Sequence, residues 1–290
     1  MGIFSKLFTG MQGDDDTVYY QAPATRPQLF RLVLKERFWN LMPLNLTFLV
    51  FCLPAAAWCG FWLMGLEKAI TDGTMNEVLA ALHAMVLGLV PLITLTGPAM
   101  AGMTCVTRRW ARDEHASAWQ DFWDGLRKNW KAALLPAFLT SLMPLIVYWY
   151  AAFWLNTPEQ VRISALPTAI CGIVFLIWIV ALPTVYALLT GYELKMKDVL
   201  KNAVMMTLAH GPTAVGVWLV GFLPLVLPAL ILIFASAPLG TLLLLVYGIL
   251  LGFALRSLLA SSFANRLCEE FINPRIGAPT RIGLRPTDNE

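Results

Sequence analysis

The chain has 290 residues, of which 58% are hydrophobic and only 13% are charged, and its net charge is +3. A typical soluble domain carries about 25% charged residues. A water-soluble chain of this length could not hide so much apolar surface, because a large share of any folded surface faces solvent. The composition therefore excludes a soluble globular protein and predicts an integral membrane protein.

The chain opens with a polar segment, residues 1–27, that we interpret as a flexible cytoplasmic leader. The sequence LFRLVLKERFW follows, in which apolar residues are interspersed with Arg31, Lys35, Glu36 and Arg37. This pattern is typical of a short amphipathic helix that lies on the membrane surface before the first span. We therefore place the start of the membrane domain at residue 28.

Five runs without Asp, Glu, Lys or Arg locate the membrane spans. Each of the first four can hold one helix of the roughly 20 residues that cross a bilayer. The fifth run has 54 residues. As one helix it would be about 80 Å long, so it must hold two spans, which we divide at the sequence SAPLG. The runs cover residues 38–66, 78–107, 132–158, 163–192 and 202–255.

The resulting prediction is an all-α integral membrane bundle of six transmembrane helices with amphipathic interfacial helices. The bundle forms one domain, residues 28–264, and a cytoplasmic tail follows at residues 265–290. The spans are predicted near residues 41–63, 79–104, 132–155, 166–189, 212–235 and 239–262.

Lysine and arginine are distributed unevenly between the two sides of this predicted bundle. The N-terminal 37 residues, the 108–131 loop, the 193–201 loop and the tail lie on one side and hold 18 of the 21 basic residues. Basic loops remain on the cytoplasmic side of a membrane. We therefore predict a multi-pass protein of the cell (cytoplasmic) membrane with both termini in the cytosol.

Residues 108–130, RRWARDEHASAWQDFWDGLRKNW, carry nine formal charges and four tryptophans between two uncharged runs. A capping box at Ser117 and Gln120 starts a helix whose large apolar residues share one face. That face either closes the bundle as an interfacial lid or docks onto a cytoplasmic partner. We expect no nucleic-acid partner, because acidic residues offset most of the positive charge of this stretch. The candidate docking residues are Trp119, Phe122, Trp123, Leu126 and Trp130.

Gly97 and Pro98 lie near the cytoplasmic end of the second predicted span, among other small residues. Small residues allow helices to pack closely. A helix broken at this point could instead expose backbone groups to a ligand, as in transporters. Both interpretations stay open, and we treat the two residues as functional candidates.

Arg256 is the one Asp, Glu, Lys or Arg residue inside a predicted span. It recurs at intervals of four with Gly248 and Gly252, a GxxxG pattern that predicts close packing against another helix. A charge within a span is a functional hypothesis by default, although an arginine near the membrane edge can also reach the headgroups. Its expected partners are loop carboxylates such as Asp121 or Asp124, helix carbonyl groups or an anionic ligand.

The sequence contains no Walker A motif, no HExxH motif, no paired carboxylates within a span and no nucleophile–base spacing typical of an enzyme. We therefore predict that the protein is not an enzyme and has no catalytic residues. For the same reason we predict no cofactor and no metal site.

Two segments resemble the YesL-like family of bacterial membrane proteins of unknown function. They are FWNLMPLNLTFLVFCLPA in the first span and LTGPAMAGMTCVTRRWARDEHASAWQDFWDGLRKNWKAALL across the second and third. The GPA, the basic pair, the Asp-Phe and the Asn-Trp-Lys pieces carry the resemblance, which covers roughly residues 28–210. Family members are often encoded beside sugar ABC importers. The resemblance therefore implies a bacterial inner-membrane location and an accessory role in carbohydrate uptake.

These observations lead to two functional hypotheses. The first is a non-enzymatic accessory or regulatory component of a carbohydrate transport system, in contact with the lipid bilayer and with ABC importer subunits or another membrane protein. The alternative is a transporter or channel for a small solute, with Gly97, Pro98 and Arg256 along its path. A third possibility, a lipid-handling protein, requires a lipid bound near Arg256.

Overall fold

A computed structural model of the protein describes residues 22–156 and 166–285, so most of the predicted leader lies outside the described residues. Within these two ranges the chain forms helices, turns and loops and no β-strand, which confirms the predicted all-α fold. A π-helical segment, Gly248–Gly252, separates the last two long helices of the chain. The helices are α1 (Arg26–Asp72), α2 (Met75–Trp110), α3 (Gln120–Asn156), α4 (Leu166–Gly191), α5 (Met196–Ala209), α6 (Gly211–Val220), α7 (Leu223–Phe234), α8 (Ala237–Tyr247), α9 (Phe253–Phe271) and α10 (Asn273–Ile276).

Five helical segments of the described chain are long and apolar enough to cross a membrane. The number rises to six if α5 and α6, which are bent by 92° relative to each other, count as one broken span. The predicted division of the last long uncharged run is confirmed, because α7 ends at Phe234 and Ser236 caps α8. Gly240 of α8 packs directly against the backbone of Leu232 in α7, so the two helices form a tight hairpin.

Helix α1 is a single helix of 47 residues, so the predicted amphipathic helix before the first span is not a separate element. Its residues form the first turns of the spanning helix. The side chain of Gln28 accepts hydrogen bonds from the amides of Ala24 and Thr25 and closes a capping box at the N-terminus. No proline or glycine follows before Pro43, so nothing ends the helix at the membrane edge.

Helix α3 is also continuous, with 37 residues, and the interfacial helix predicted at residues 117–130 is its first part. The Ser117 hydroxyl accepts a hydrogen bond from the amide of Gln120 at 3.3 Å, as the capping-box pattern predicts. The reciprocal bond to the Ser117 amide is made by the Asp121 carboxylate at 2.6 Å and not by Gln120. The tryptophan-rich stretch therefore continues directly into the third span.

The predicted fifth span, residues 212–235, is wrong as a single helix. It forms α6 with 10 residues and α7 with 12, and each alone is shorter than the roughly 20 residues that a bilayer requires. The break falls at Gly221 and Phe222. Pro224 causes it, because proline has no amide hydrogen and its ring clashes with the carbonyl of the residue four positions earlier.

The helix ends nearest the charged segments meet at one end of the bundle, which we call the basic end. It comprises the start of α1, the end of α2, the start of α3, the end of α4 and the last turns of α9. An ion pair between Arg26 and Glu269 joins α1 to α9, and a second between Arg109 and Asp121 joins α2 to α3. The segments assigned to one side of the membrane by their charge therefore lie together.

Helix α9 extends past residue 264, where the tail was predicted to start, and ends at Phe271. Leu267 and Cys268 in this extension are buried. The first part of the predicted tail is therefore packed into the bundle at the basic end.

Candidate functional site

Arg256 projects from α9 toward the break between α6 and α7. Its guanidinium carbon lies 4.0 Å from the ring centroid of Phe222 and 5.6 Å from that of Trp218. A Cβ atom at Gly221 would lie 3.2 Å from Cγ of Arg256, so the glycine allows the two elements to approach closely. Arg256 thus faces another helix and not the lipid.

Arg256 makes no hydrogen bond and no ion pair with any described residue. The loop carboxylates considered as partners lie elsewhere, since Asp121 pairs with Arg109 and Asp124 is exposed. A neighbouring donor, the indole N–H of Trp218, is buried and also has no partner among the described residues. The aromatic rings attract the cation by about 0.5–2 kcal/mol, but they do not replace acceptors for its five N–H groups.

A cavity of about 240 Å³ adjoins Arg256 between α2, α4, α6 and α9. Its wall consists mostly of aliphatic, aromatic and methionine side chains, and Thr104, Ser257 and Ser261 contribute hydroxyl groups. Arg256 is the one charged residue among those that line it in the described structure, and Trp218 lines the same cavity. The cavity, which we call the Arg256 cavity, therefore offers two unmatched donors in apolar surroundings.

Gly97 and Pro98 lie inside the continuous helix α2 and do not break it. Gly97 is buried, and a Cβ atom there would overlap the Ala133 carbonyl oxygen and the Ala137 methyl group of α3. Neither residue lines the Arg256 cavity. The packing interpretation therefore explains this pair, and a helix break at this position is wrong.

One side chain, the fully buried Asn45 of α1, holds the π-helical segment that precedes Arg256. Its four hydrogen bonds are 2.7–3.0 Å long and use both donors and both acceptor sites of the amide. They join Nδ2 to the carbonyls of Gly248 and Ile249, and Oδ1 to the amides of Phe253 and Ala254. A π segment shifts the helical hydrogen-bond pattern by one residue, and Asn45 satisfies the backbone groups that this shift leaves unpaired.

The GxxxG pair predicted to make a close helix contact instead marks the two ends of this π segment. No atom of a neighbouring element lies within 4 Å of a Cβ position at Gly248, and Gly252 meets only Tyr247 of its own helix. These two glycines therefore lie where the helix changes to π geometry and do not allow a close contact between helices.

The predicted docking face of α3 divides into a buried and an exposed part. Phe122 is fully buried, and Trp123 and Leu126 pack against the same core. Phe122 is therefore wrong as a docking residue, because no partner can reach it. Trp119 and Trp130 remain 61% and 48% exposed. The middle of the stripe closes the basic end from within, as the lid interpretation requires.

A residue that sequence reasoning missed, Arg108, ties three helices together at the basic end. It is 5% exposed. Its Nε donates to Asn265 Oδ1 in α9 and its Nη1 donates to the Ala187 carbonyl in α4, both at 2.8 Å. Asn265 donates back to the Arg108 carbonyl at 3.0 Å. A Cβ atom at Gly191 would overlap the guanidinium, so we call Arg108, Ala187, Gly191 and Asn265 the basic-end lock.

The surroundings of the basic-end lock are strongly polar, and most of their charged side chains have a partner, although Nε of Arg112 is buried without an acceptor among the described residues. Burial lowers the pKa of Arg112, the positive charge of Arg108 lowers it further, and Glu114 acts in the opposite direction. Burial also raises the pKa of Tyr192 to about 12, so its hydroxyl stays protonated and donates to Asn273 at 2.6 Å. The arginines here have acceptors or ion-pair partners, unlike Arg256.

The described residues contain no group of three or more His, Cys, Asp or Glu side chains placed to hold a metal ion. All five cysteines are free thiols, and only Cys171 is exposed. Two cavities of the described structure are lined by unmatched donors. One at the basic end is polar and is lined by Arg108, Arg109 and Arg112, of which Arg112 has a buried Nε without a partner; the Arg256 cavity differs from it in its apolar walls.

Comparison with known proteins adds one finding. Residues 41–150, which run from α1 through most of α3, match the model of a family described as a protein of unknown function, DUF624. This match covers less than half of the chain and is compatible with the YesL-like resemblance without confirming it. No curated protein and no solved structure matches. Arg256 and the cavity walls on α4, α6 and α9 lie outside the matched residues.

Proposed function

We propose that the protein is a non-enzymatic accessory or regulatory component of a carbohydrate transport system in the bacterial inner membrane, with its basic end in the cytosol. One observation carries the proposal, the exposure of Trp119 at the basic end beside the packed residues Phe122, Trp123 and Leu126 of the same face. Tryptophan and arginine are enriched at protein interfaces. The carbohydrate class rests on the YesL-like resemblance alone, and the cytosolic side rests on the distribution of basic residues.

The position of Trp119 separates docking from simple anchoring. Exposed tryptophans at the membrane edge form an aromatic belt, which is sufficient to explain Trp130. Trp119 lies 11 residues earlier, about 16 Å along the direction of α3. With the basic end in the cytosol, as proposed, it would lie farther from the bilayer centre than Trp130, where no belt is needed. A shallow cleft beside it is lined by Trp119, Gln120, Trp123, Asp124 and Arg127. An aromatic wall with both charges suits a protein partner.

A photo-crosslinking residue in place of Trp119, introduced in the bacterium grown on a sugar that requires uptake, tests this proposal. We expect a crosslink to an identified permease or ATPase subunit, and loss of co-purification in Trp119→Ala. Leu242, which is 56% exposed on α8, is the matched control position and should crosslink only lipid. Crosslinks to lipid alone at position 119, with co-purification and uptake unchanged in Trp119→Ala, would reject the docking role.

A transporter or channel for a small solute is the second candidate, and the break between α6 and α7 beside the Arg256 cavity favours it. Broken helices in transporters present backbone groups to a bound substrate within the membrane. Purified protein in liposomes should then move a solute, and Arg256→Gln should reduce this flux. Lys131→Gln removes a basic residue outside the cavity and serves as the control. Absence of flux for sugars and small anions alike would remove this candidate.

A further inference from the structure

The donors of Arg256 and Trp218 in the Arg256 cavity have no acceptor within hydrogen-bond distance in the described part of the chain, although hydroxyl groups line other parts of the wall. The guanidinium carries five N–H groups, none of which has an acceptor among the described residues, and the buried indole N–H of Trp218 is also unpaired. Donors without acceptors in apolar surroundings are unfavourable, because they lose hydrogen bonds that water would otherwise make. A bound group with several oxygen acceptors and a negative charge would satisfy both side chains, and phosphate fits this description.

The remaining wall of the cavity is mostly apolar, which favours a ligand with an apolar part. Met100, Met103, Val180 and Leu182 are typical of its walls, and a small hydrated anion would gain nothing from them. No acidic side chain lines the cavity in the described structure. A lipid with a cationic headgroup amine would therefore find no partner for that amine, so an acidic lipid is favoured over a zwitterionic one.

The cavity lies near the basic end of the bundle. Its α2 wall runs from Met100 to Thr104, which is about 6–12 Å along the helix axis from the buried end residue Arg108. The cavity thus lies in the leaflet nearest the basic end, just inside the level of the charged residues. Acyl chains extending away from Arg256 would follow the apolar wall toward the bilayer centre.

The break between α6 and α7 supplies access from the membrane side. Leu219, Val220 and Leu223 flank the break and are 54%, 49% and 62% exposed. Apolar exposure of this kind indicates contact with lipid tails in a membrane-spanning protein. A lipid can therefore reach Arg256 laterally, without crossing the polar basic end.

From these observations we infer that the Arg256 cavity binds the phosphate group of one acidic phospholipid from the leaflet at the basic end. Arg256 and the indole N–H of Trp218 donate to the phosphate oxygens, and the apolar wall holds part of an acyl chain. The site is independent of docking at Trp119, so it can fail or succeed separately from the proposed accessory function; a solute path through the same cavity is a competing explanation that the experiment below distinguishes.

Native mass spectrometry of the purified full chain with added phosphatidylglycerol or phosphatidylcholine, matched in acyl chains, tests the inference. We expect the wild type to retain one phosphatidylglycerol with about tenfold preference, as one charge-assisted contact provides. Arg256→Gln should lose the preference. Lys131→Gln, which removes a basic residue near Trp130 and outside the cavity, should keep it.

Two conservative variants distinguish a loss of the binding site from misfolding of the protein. Arg256→Lys keeps the charge and should retain part of the preference. Trp218→Phe keeps the ring but removes the N–H donor, and should weaken phosphatidylglycerol binding several-fold. Equal retention of both lipids by the wild type, or equal retention of phosphatidylglycerol by wild type and Arg256→Gln, would overturn the inference. Binding of inorganic phosphate in place of lipid would also overturn it and would favour a solute site.

Discussion

Two arginines of this protein that project between helices, the buried Arg108 and the half-buried Arg256, have opposite surroundings. Arg108 and Arg256 both lack a carboxylate partner among the described residues. Arg108 donates to the Ala187 carbonyl and to Asn265, and Gly191 leaves room for its guanidinium. Arg256 has only aromatic rings beside it and opens into a cavity. Arg108, whose donors are matched within the chain, holds helices together. The unmatched donors of Arg256 are the basis for the ligand that we propose there.

The same contrast separates the two halves of the bundle. Helices α1 to α3 are long and continuous, and the matched family model lies within them. The part after α4 is broken at His210, at Gly221 and at the π segment. Breaks expose backbone and small cavities, so we expect the first part to carry rigidity and the second to carry ligand binding.

The largest loss of stability is expected for Asn45→Ala, because Asn45 connects the two halves of the bundle. The substitution removes the partner of two carbonyls in the π segment and of two amides at the start of α9, and should lower the free energy of unfolding by about 3 kcal/mol. Asn129→Ala, which removes a single bond to the Gly125 carbonyl of the same helix, is the matched control and should have a much smaller effect. Unfolding in mixed detergent micelles measures both, and equal effects would contradict the role of Asn45.

A second prediction tests the basic-end lock. Gly191→Ala places a methyl group where the Arg108 guanidinium lies, and should destabilise the protein by about 2 kcal/mol. The clash exists only while Arg108 is present, so Gly191→Ala should be nearly harmless in an Arg108→Ala background. This double-mutant cycle isolates the contact. Additive effects of the two substitutions would show that the glycine serves another purpose.

A smaller effect is expected for Arg256→Gln in detergent free of acidic lipid. The substitution removes cation–π contacts but also removes a half-buried charge without an acceptor among the described residues, so the net change in stability should stay below about 1 kcal/mol. Thermal unfolding measures it. A loss as large as that of Gly191→Ala would mean that Arg256 is structural like Arg108, and the contrast between them would disappear.

The smallest effect on stability is expected for Trp119→Ala, because the side chain is mostly exposed. Its unfolding free energy should change by less than about 0.5 kcal/mol, whereas Phe122→Ala on the same face should lower it by about 3 kcal/mol. Comparing the two variants in one micelle system separates the exposed part of the stripe from the buried part. Similar losses would place Trp119 in the core.

Much of the fold was predictable because composition and charge determine it directly. Uncharged runs located the spans, and the turn near Ser236 followed from the length of the last run. Continuity of α1 and α3 was not predictable from hydropathy, which marks where the chain is apolar but not where a helix ends. The break at Gly221 was not predicted, although Pro224 and Pro228 were present as a signal; a break was considered only at Gly97, beside the packing interpretation.

The polar contacts were harder to predict because their partners are distant in sequence. Asn45 bonds to residues more than 200 positions away, and Arg108 bonds to Asn265. Arg256 was recognisable because it is charged within a span, yet its unmatched state became visible only with the cavity. Phe122 was placed on the correct helical face, but periodicity alone does not tell a buried residue from an exposed one.

Thermal unfolding of three proteins with and without phosphatidylglycerol tests the contrast between the two arginines most directly. The wild type and Gly191→Ala should both be stabilised by the lipid, although Gly191→Ala starts from a lower unfolding temperature. Arg256→Gln should start near the wild type and show no response to phosphatidylglycerol beyond its response to phosphatidylcholine. Full lipid stabilisation of Arg256→Gln, or its loss in Gly191→Ala alone, would contradict the account.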